Sequence, residues 1–205
     1  MTATRPDQRP ATLDAIERDT EGIGFSMSCE EAVGHLLRAL AAAKPGGRLL
    51  ELGTGTGAGT AWLLAGMDRQ ARLDTVDNDP EYLGVARRHH TADPRVTIVE
   101  ADGGEWLRAR ATDDRPGYDL VFADTWPGKF THLDEALTLV APGGFYVVDD
   151  LARQPAGTSV PEDHCLAVDA LIENLESRVG WERLPLLGWS CGVLVMVRKQ
   201  RPASL

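Results

Sequence analysis

The stretch Glu51-Leu52-Gly53-Thr54-Gly55-Thr56-Gly57-Ala58-Gly59 limits what this chain can fold into more than any other. It follows a short apolar run, Leu49–Leu52, and opens a helical pattern. Glycines at this spacing let the backbone turn tightly between a strand and a helix. They also leave main-chain N–H groups at the helix start open to a polar or anionic group. Four glycines in seven residues exceed what a turn alone requires. The stretch therefore predicts an open α/β sheet with a ligand site at the carboxyl end of its first strand.

The rest of the chain agrees with such a sheet. Buried-strand patterns occur at Leu49–Leu52, Leu73–Asp77, Val96–Glu100, Leu120–Asp124 and Phe145–Asp149. Helical patterns lie between them. One follows Ala58, and one follows Asp79-Pro80, an N-cap with proline at the first helical position. Another follows Asp102. A fourth carries Phe130, Leu133, Leu137 and Val140, and a fifth Cys165, Val168, Leu171, Ile172 and Leu175. Upstream, Leu13 to Asp19 suggests a short helix. Ser28 with Glu31 reads as an S-x-x-E capping box before the stripe Val33, Leu36, Leu37 and Leu40, which Pro45-Gly46-Gly47 closes. Strand–helix alternation at this spacing means βαβ units and a parallel sheet. No helix fits between Trp181–Leu187 and Val193–Arg198, so these runs should pair antiparallel at one edge. The expectation is a doubly wound, Rossmann-like α/β sheet of seven strands, in the order 3-2-1-4-5-7-6 with the last strand antiparallel. A partly helical arm over residues 1–27 precedes a domain over residues 28–205.

Composition removes several functions. A chain of 205 residues is one domain. Its 21 Lys and Arg against 31 Asp and Glu leave a net charge of −10, so neither a nucleic acid nor a membrane surface is an expected partner. Cys29, Cys165 and Cys191 show no CxxC spacing, which argues for reduced thiols rather than disulfides or a zinc knuckle. The first eight residues carry no apolar signal core, and no apolar run approaches the roughly 18 residues of a membrane span. A cytoplasmic protein acting on a small molecule is expected, with a homodimer left open.

Acidic residues mark the strand ends. Asp77 closes the second strand, where a carboxylate can accept both hydroxyls of an adenosine ribose. Asp102 follows the third strand and can accept an adenine amino group or, with Glu105, form a capping box. Asp124 closes the fourth strand; Asp149 and Asp150 close the fifth. With Glu51, these acids lie at or just past five strand ends. They would repel one another without a cationic ligand, a metal ion, or a donor-rich group among them. Trp126 can stack on an adenine or wedge its own loop. Trp62, Trp106, Trp181 and Trp189 read as packing residues. His89 and His90 end a helix and read as surface residues suited to its dipole. No nucleophile elbow or Ser-His-Asp order is present.

Gly53 to Ala58 also satisfies G-x-G-x-x-G/A, so a nicotinamide-dependent oxidoreductase or a non-catalytic nucleotide-binding protein remains an alternative. Against a dinucleotide stand Glu51, placed to meet an amino-acid ammonium, the reversed last strand, and acids that suit a sulfonium.

Glu51 to Gly57 resembles the first motif of class I S-adenosylmethionine-dependent methyltransferases, and the resemblance runs from about Ser28 to Lys199. The chain is most similar to the small catechol and caffeoyl-CoA type O-methyltransferases. That resemblance implies S-adenosylmethionine held by Glu51, Gly53, Thr54, Gly55, Thr60, Asp77, Asn78, Asp102, Gly103, Asp124 and Trp126. It implies a divalent metal (Mg2+, Mn2+ or Ca2+) at Asp124, Asp149 and Asp150, and methyl transfer to a phenolic or catechol-like hydroxyl with Asp124 and Lys129 as catalytic groups. Two departures stand out. Asp150 occupies the place of the family's Asn ligand. Pro127 occupies the place of its lysine, with Lys129 two residues later.

Overall fold

A computed structural model describes residues 9–152 and 162–200. Its seven strands run in the expected order, β3-β2-β1-β4-β5-β7-β6, in one sheet. The chain divides into two compact units, Met1–Asp102 and Gly103–Leu205.

The first unit contains α1 (Leu13–Gly22), α2 (Glu31–Ala42), β1 (Arg48–Leu52), α3 (Ala58–Gly66), β2 (Arg72–Asp77), α4 (Pro80–His90) and β3 (Val96–Glu100). β1, β2 and β3 are parallel, with Glu51 opposite Thr75 and Asp77 opposite Glu100. Every residue of α3 from Ala58 to Leu64 is buried, because its sequence is apolar all round and only a helix enclosed on every side suits that pattern. α1 buries Leu13 and Ile16 in the same cluster as Ala58, Ala61 and Trp62. Leu13 and Ile16 are therefore part of this unit's core. Residues 1–8 of the expected arm lie outside the described residues.

Trp62 explains a glycine. A Cβ on Gly34 of α2 would overlap the Trp62 indole, which is fully buried. Gly34→Ala is expected to destabilise the protein by about 1–3 kcal/mol, the range for overpacking a filled core. Urea unfolding should show a lower midpoint at unchanged slope.

Two sequence expectations need correcting here. The Ser28–Glu31 capping box does not form: α2 starts at Glu31, its N-cap is Glu30, and no side chain caps it. The Glu31 carboxylate is drawn instead toward Arg9 (3.5 Å) and His35 (3.8 Å). His90 is not a surface residue but 2% exposed. With Leu83 and Ala86 it falls on the inward face of α4 at helical spacing. Asp79 does cap α4, accepting from the Glu81 and Tyr82 amides.

The second unit contains α5 (Gly103–Ala111), β4 (Tyr118–Ala123), α6 (Leu133–Leu139), β5 (Val140–Val148), α7 (Glu162–Ser177), β6 (Trp181–Leu186) and β7 (Val193–Arg198). β4 and β5 are parallel, and β7 runs antiparallel to both β5 and β6. The fourth helix is shorter than its apolar spacing suggests, since Phe130 precedes it and Val140 already begins β5. The backbone of Leu151 and Ala152 stays tied to the β6–β7 turn through the Gly192 and Cys191 carbonyls. Among the described residues, no helix is long and apolar enough to cross a membrane.

Candidate functional site

In the first unit the glycine loop is a built structure. Gly53, Gly55 and Gly57 have φ of +94°, +51° and +94°, a region that side chains other than glycine's rarely adopt. The Gly55 amide donates to Asp77 Oδ2 at 2.8 Å, and the Asp79 amide donates to Asp77 Oδ1 at 3.0 Å. The carboxylate that closes β2 thus holds the middle of the loop.

Beneath the loop lies a buried polar chain. Thr75 donates to Glu51 Oε2 at 2.6 Å, and Thr60 donates to the same oxygen. Thr54 and Thr75 hydroxyls are 2.7 Å apart. The Thr75 proton is given to the carboxylate, so Thr54 donates to Thr75. Strand register explains the pairing, because Glu51 and Thr75 sit opposite each other and share one face of the sheet. Glu51 is 1% exposed; it lies under the loop, not on an open rim. Burial pushes its pKa up to about 7 from 4.5, against the two threonine bonds, with the Asp77 charge adding to the rise.

A carboxyl raised in the folded state favours the fold while protonated. Its stabilising contribution is complete below the unfolded value and is lost as pH rises through the folded one. Between pH 4.5 and 7 the wild type should therefore lose up to about 3 kcal/mol relative to Glu51→Gln, at 1.36 kcal/mol per pKa unit. Urea midpoints of both proteins across that range check this.

The second unit holds an acid–lysine cluster. Asp124 follows β4, and Asp149 and Asp150 follow β5, whose last paired residues are Ala123 and Val148. Between them the loop turns sharply. Gly128 takes φ +91°, its carbonyl accepts the Tyr146 hydroxyl at 2.6 Å, and the Trp126 carbonyl collects the amides of Lys129, Phe130 and Thr131. This turn carries Lys129 inward. Its Nζ lies 3.1 Å from Asp149 Oδ1 and 3.9 Å from Asp150 Oδ2, with Lys129 4% and Asp149 3% exposed.

Burial would lower the Lys129 pKa, but Asp149, Asp124 and Asp150 outweigh it and raise the value. Lys129 is thus held as an ammonium. Burial, then the Asp149 charge, raises Asp124 well above the carboxylate range. Asp149 is raised by burial against the opposing pull of Lys129. The two acids are hydrogen-bonded to each other, and burial raises both. A cavity of about 340 Å³ borders Lys129, lined among others by Phe130, His132, Leu171, Asn174 and Arg178.

Asp149 and Asp150 each place a carboxylate oxygen, and Cys191 its sulfur, within 4.8 Å of one another. The oxygen pair fits a hard divalent cation; Asp124 stands outside this group. Asp150 has φ +56°, a strained backbone for a residue with a side chain.

The remaining expected residues are more open. Asn78 and Asp102 are exposed, and Gly103 begins α5. Trp126 is 56% exposed, its ring 4.9 Å from Phe130. Sequence reasoning missed Thr75, whose signal was a lone hydroxyl in the β2 strand, Arg72–Asp77. It also missed Thr20 and His90, which bond the loop from α1 and α4.

The strand order and the glycine loop define a methyltransferase-type α/β domain, and comparison with known proteins agrees. Residues 50–151 match the methyltransferase domain family. A Mycobacterium leprae protein, named provisionally as an O-methyltransferase, is 33% identical over 166 residues, covering 74% of this chain and 73% of its own length. A Mycobacterium ulcerans protein with the same provisional name is 37% identical over 134 residues. That match covers 61% of this chain and only 59% of the relative. The chain belongs to this methyltransferase domain family. Among solved structures, the O-methyltransferase TomG from Streptomyces achromogenes, in complex with SAM, superposes with a TM-score of 0.81 at 20% identity, covering 93% of this chain and 90% of TomG. A Bacillus cereus O-methyltransferase in complex with SAH gives 0.81 at 18% identity, covering 97% and 94%. At these identities the two structures establish the fold.

Proposed function

We propose that this chain is an S-adenosylmethionine-dependent O-methyltransferase acting on a small phenolic or catechol-like hydroxyl. The observation that carries the reading is the glycine loop whose Gly55 amide is fixed on the Asp77 carboxylate. Such a loop leaves backbone N–H groups for the amino-acid end of a ligand and an acid for its ribose. In this reading Asp77 accepts the ribose hydroxyls with Asn78 beside it. Asp102 and Gly103 meet the adenine amino group, and Trp126 its face. Glu51, backed by Thr60 and linked through Thr75 to Thr54, places negative charge under the ligand's ammonium. Family membership favours this cofactor over a dinucleotide.

Methyl transfer is an in-line displacement. The acceptor oxygen forms a bond to the methyl carbon while the carbon–sulfur bond breaks, and the sulfonium leaves as a neutral thioether. The acceptor's proton must go to a base. Lys129, held as an ammonium, does not take it. The Asp124–Asp149 pair does, because both acids are pushed up by burial, Asp124 also by its neighbour's charge, and so bind a proton more tightly than ordinary carboxylates. Lys129 then stabilises the acceptor's developing negative charge. A divalent cation, when present, would be held by Asp149 and Asp150 and would acidify the acceptor hydroxyl. The cavity beside Lys129 falls in the size range of small-molecule sites.

Thermal unfolding with S-adenosylhomocysteine tests the cofactor. At a hundred times its dissociation constant, it should add about 2.7 kcal/mol of stability, and NAD should add none. Stabilisation by NAD alone overturns the reading. Mass spectrometry of catechol incubated with S-adenosylmethionine tests the acceptor, where one added methyl group is expected. Repeating the assay in chelator reads the cation's contribution.

A further inference from the structure

The glycine loop is anchored from outside by two side chains that the proposed cofactor contacts do not include. Thr56 Oγ1 lies 2.8 Å from Thr20 Oγ1 of α1, and both residues are buried. On the next residue, the Gly57 carbonyl is 2.9 Å from His90 Nε2 at the end of α4. A carbonyl can only accept, so Nε2 carries the proton. Burial lowers the His90 pKa against the pull of that bond, which keeps the ring neutral in this tautomer. The ring is seated against the loop. A Cβ on Gly57 would come within 2.9 Å of His90 and 3.2 Å of Ala86.

The two anchors are themselves joined. Asp19, next to Thr20, accepts from His89, next to His90, at 2.9 Å, and lies 3.3 Å from Arg88. Two adjacent loop residues are therefore held by residues on two helices that are tied together at the neighbouring positions. The glycines at 53, 55, 57 and 59 give the free loop a large conformational entropy. The Asp77 bond restrains Gly55, and the main chain holds Gly57 through its amide on the Thr54 carbonyl (2.9 Å) and the Ala61 amide on its own carbonyl (3.0 Å). Thr20 and His90 add the side-chain anchors from outside the loop.

We propose that Thr20 and His90 are paired positioning residues that hold the Thr56–Gly57 peptide in its ligand-ready shape, which makes α1 a working part of the cofactor site. The proposal rests on the reading of this loop as an S-adenosylmethionine site. Anchors of this kind lower the ordering cost of binding without touching the ligand, so their loss should appear in cofactor affinity and not in turnover at saturation.

The experiment uses the full chain as wild type, Thr20→Val, His90→Phe, His90→Gln and the Thr20→Val/His90→Phe double variant. Calorimetric titration with S-adenosylhomocysteine gives affinity. Steady-state kinetics with S-adenosylmethionine separate KM from kcat, and thermal unfolding runs in parallel. Thr20→Val and His90→Phe should each weaken binding about five- to tenfold, the size of one buried hydrogen bond, with kcat unchanged. His90→Gln should recover most of the loss, since its amide N–H can replace Nε2–H. The double variant should lose less than the product of the single losses, because the anchors share one peptide. Lower melting temperatures with wild-type affinity would reduce both residues to core packing and overturn the proposal. So would a His90→Gln no better than His90→Phe. Wild type that binds no S-adenosylhomocysteine overturns the cofactor reading and this proposal together. Wild type that binds, with unchanged variants, overturns this proposal alone.

Discussion

Asp77→Ala is expected to weaken S-adenosylhomocysteine binding about 100-fold, or roughly 3 kcal/mol, because charge-assisted bonds contribute about 1.5–3 kcal/mol each and more than one is lost. The carboxylate has two duties. It receives the Gly55 and Asp79 amides at 2.8 and 3.0 Å, and in the proposed complex it also receives the ribose hydroxyls. Alanine removes the ligand's acceptor and releases the loop from β2 at once. Asp77→Asn keeps one acceptor and the shape of the group, so its loss should be nearer tenfold. Calorimetric titration of the three proteins checks the order wild type, Asn, Ala. Equal affinity for all three would place the cofactor away from this strand end.

Asp77 also shows how far sequence reading reached. Its place depended only on local signals, a strand that ends where a helix cap begins, and these survive folding unchanged. Strand–helix alternation likewise survived as βαβ units and a parallel sheet, whereas the full strand order came with the family resemblance. Glu51 shows where such reading stopped. As a strand residue before a glycine loop it suggests a rim acid, but parallel register sets it opposite Thr75, and register is not written in one strand alone. The lone hydroxyl in β2 acquires meaning only beside its partner. His90 fails for another reason. A helix-end histidine suits the dipole whether exposed or buried, and the inward helical spacing of Leu83, Ala86 and His90 decides the matter. The Ser28–Glu31 box matched a motif, but the Glu31 carboxylate turns toward Arg9 and His35 instead.

Lys129 lay between these cases. The sequence put it two residues past the expected place, with nothing to say whether its loop folds inward. The positive φ at Gly128 and the Tyr146 bond to the Gly128 carbonyl settle that. Lys129→Met should then have the largest effect of any single change in this unit. It leaves Asp149, 3% exposed, without its partner at 3.1 Å. Breaking a buried pair from one side typically destabilises a protein by about 3–5 kcal/mol. The pH dependence has a definite sign. The wild-type lysine, raised above its unfolded value, loses its stabilisation through its own deprotonation only as pH rises above 10.5 and through the folded value. Without that charge Asp149 moves further up, so the variant's deficit is smallest at acid pH, where both acids are protonated, and grows as pH rises. Turnover should fall about 100- to 1000-fold, the usual loss for one oxyanion-stabilising group. Adding Asp149→Asn to Lys129→Met separates the two roles. The amide removes the orphaned charge and should restore most of the stability, while activity stays low because neither the ammonium nor the paired base returns. Recovery of both together would make Lys129 a counter-ion alone, and retention of full activity in Lys129→Met would remove it from the reaction.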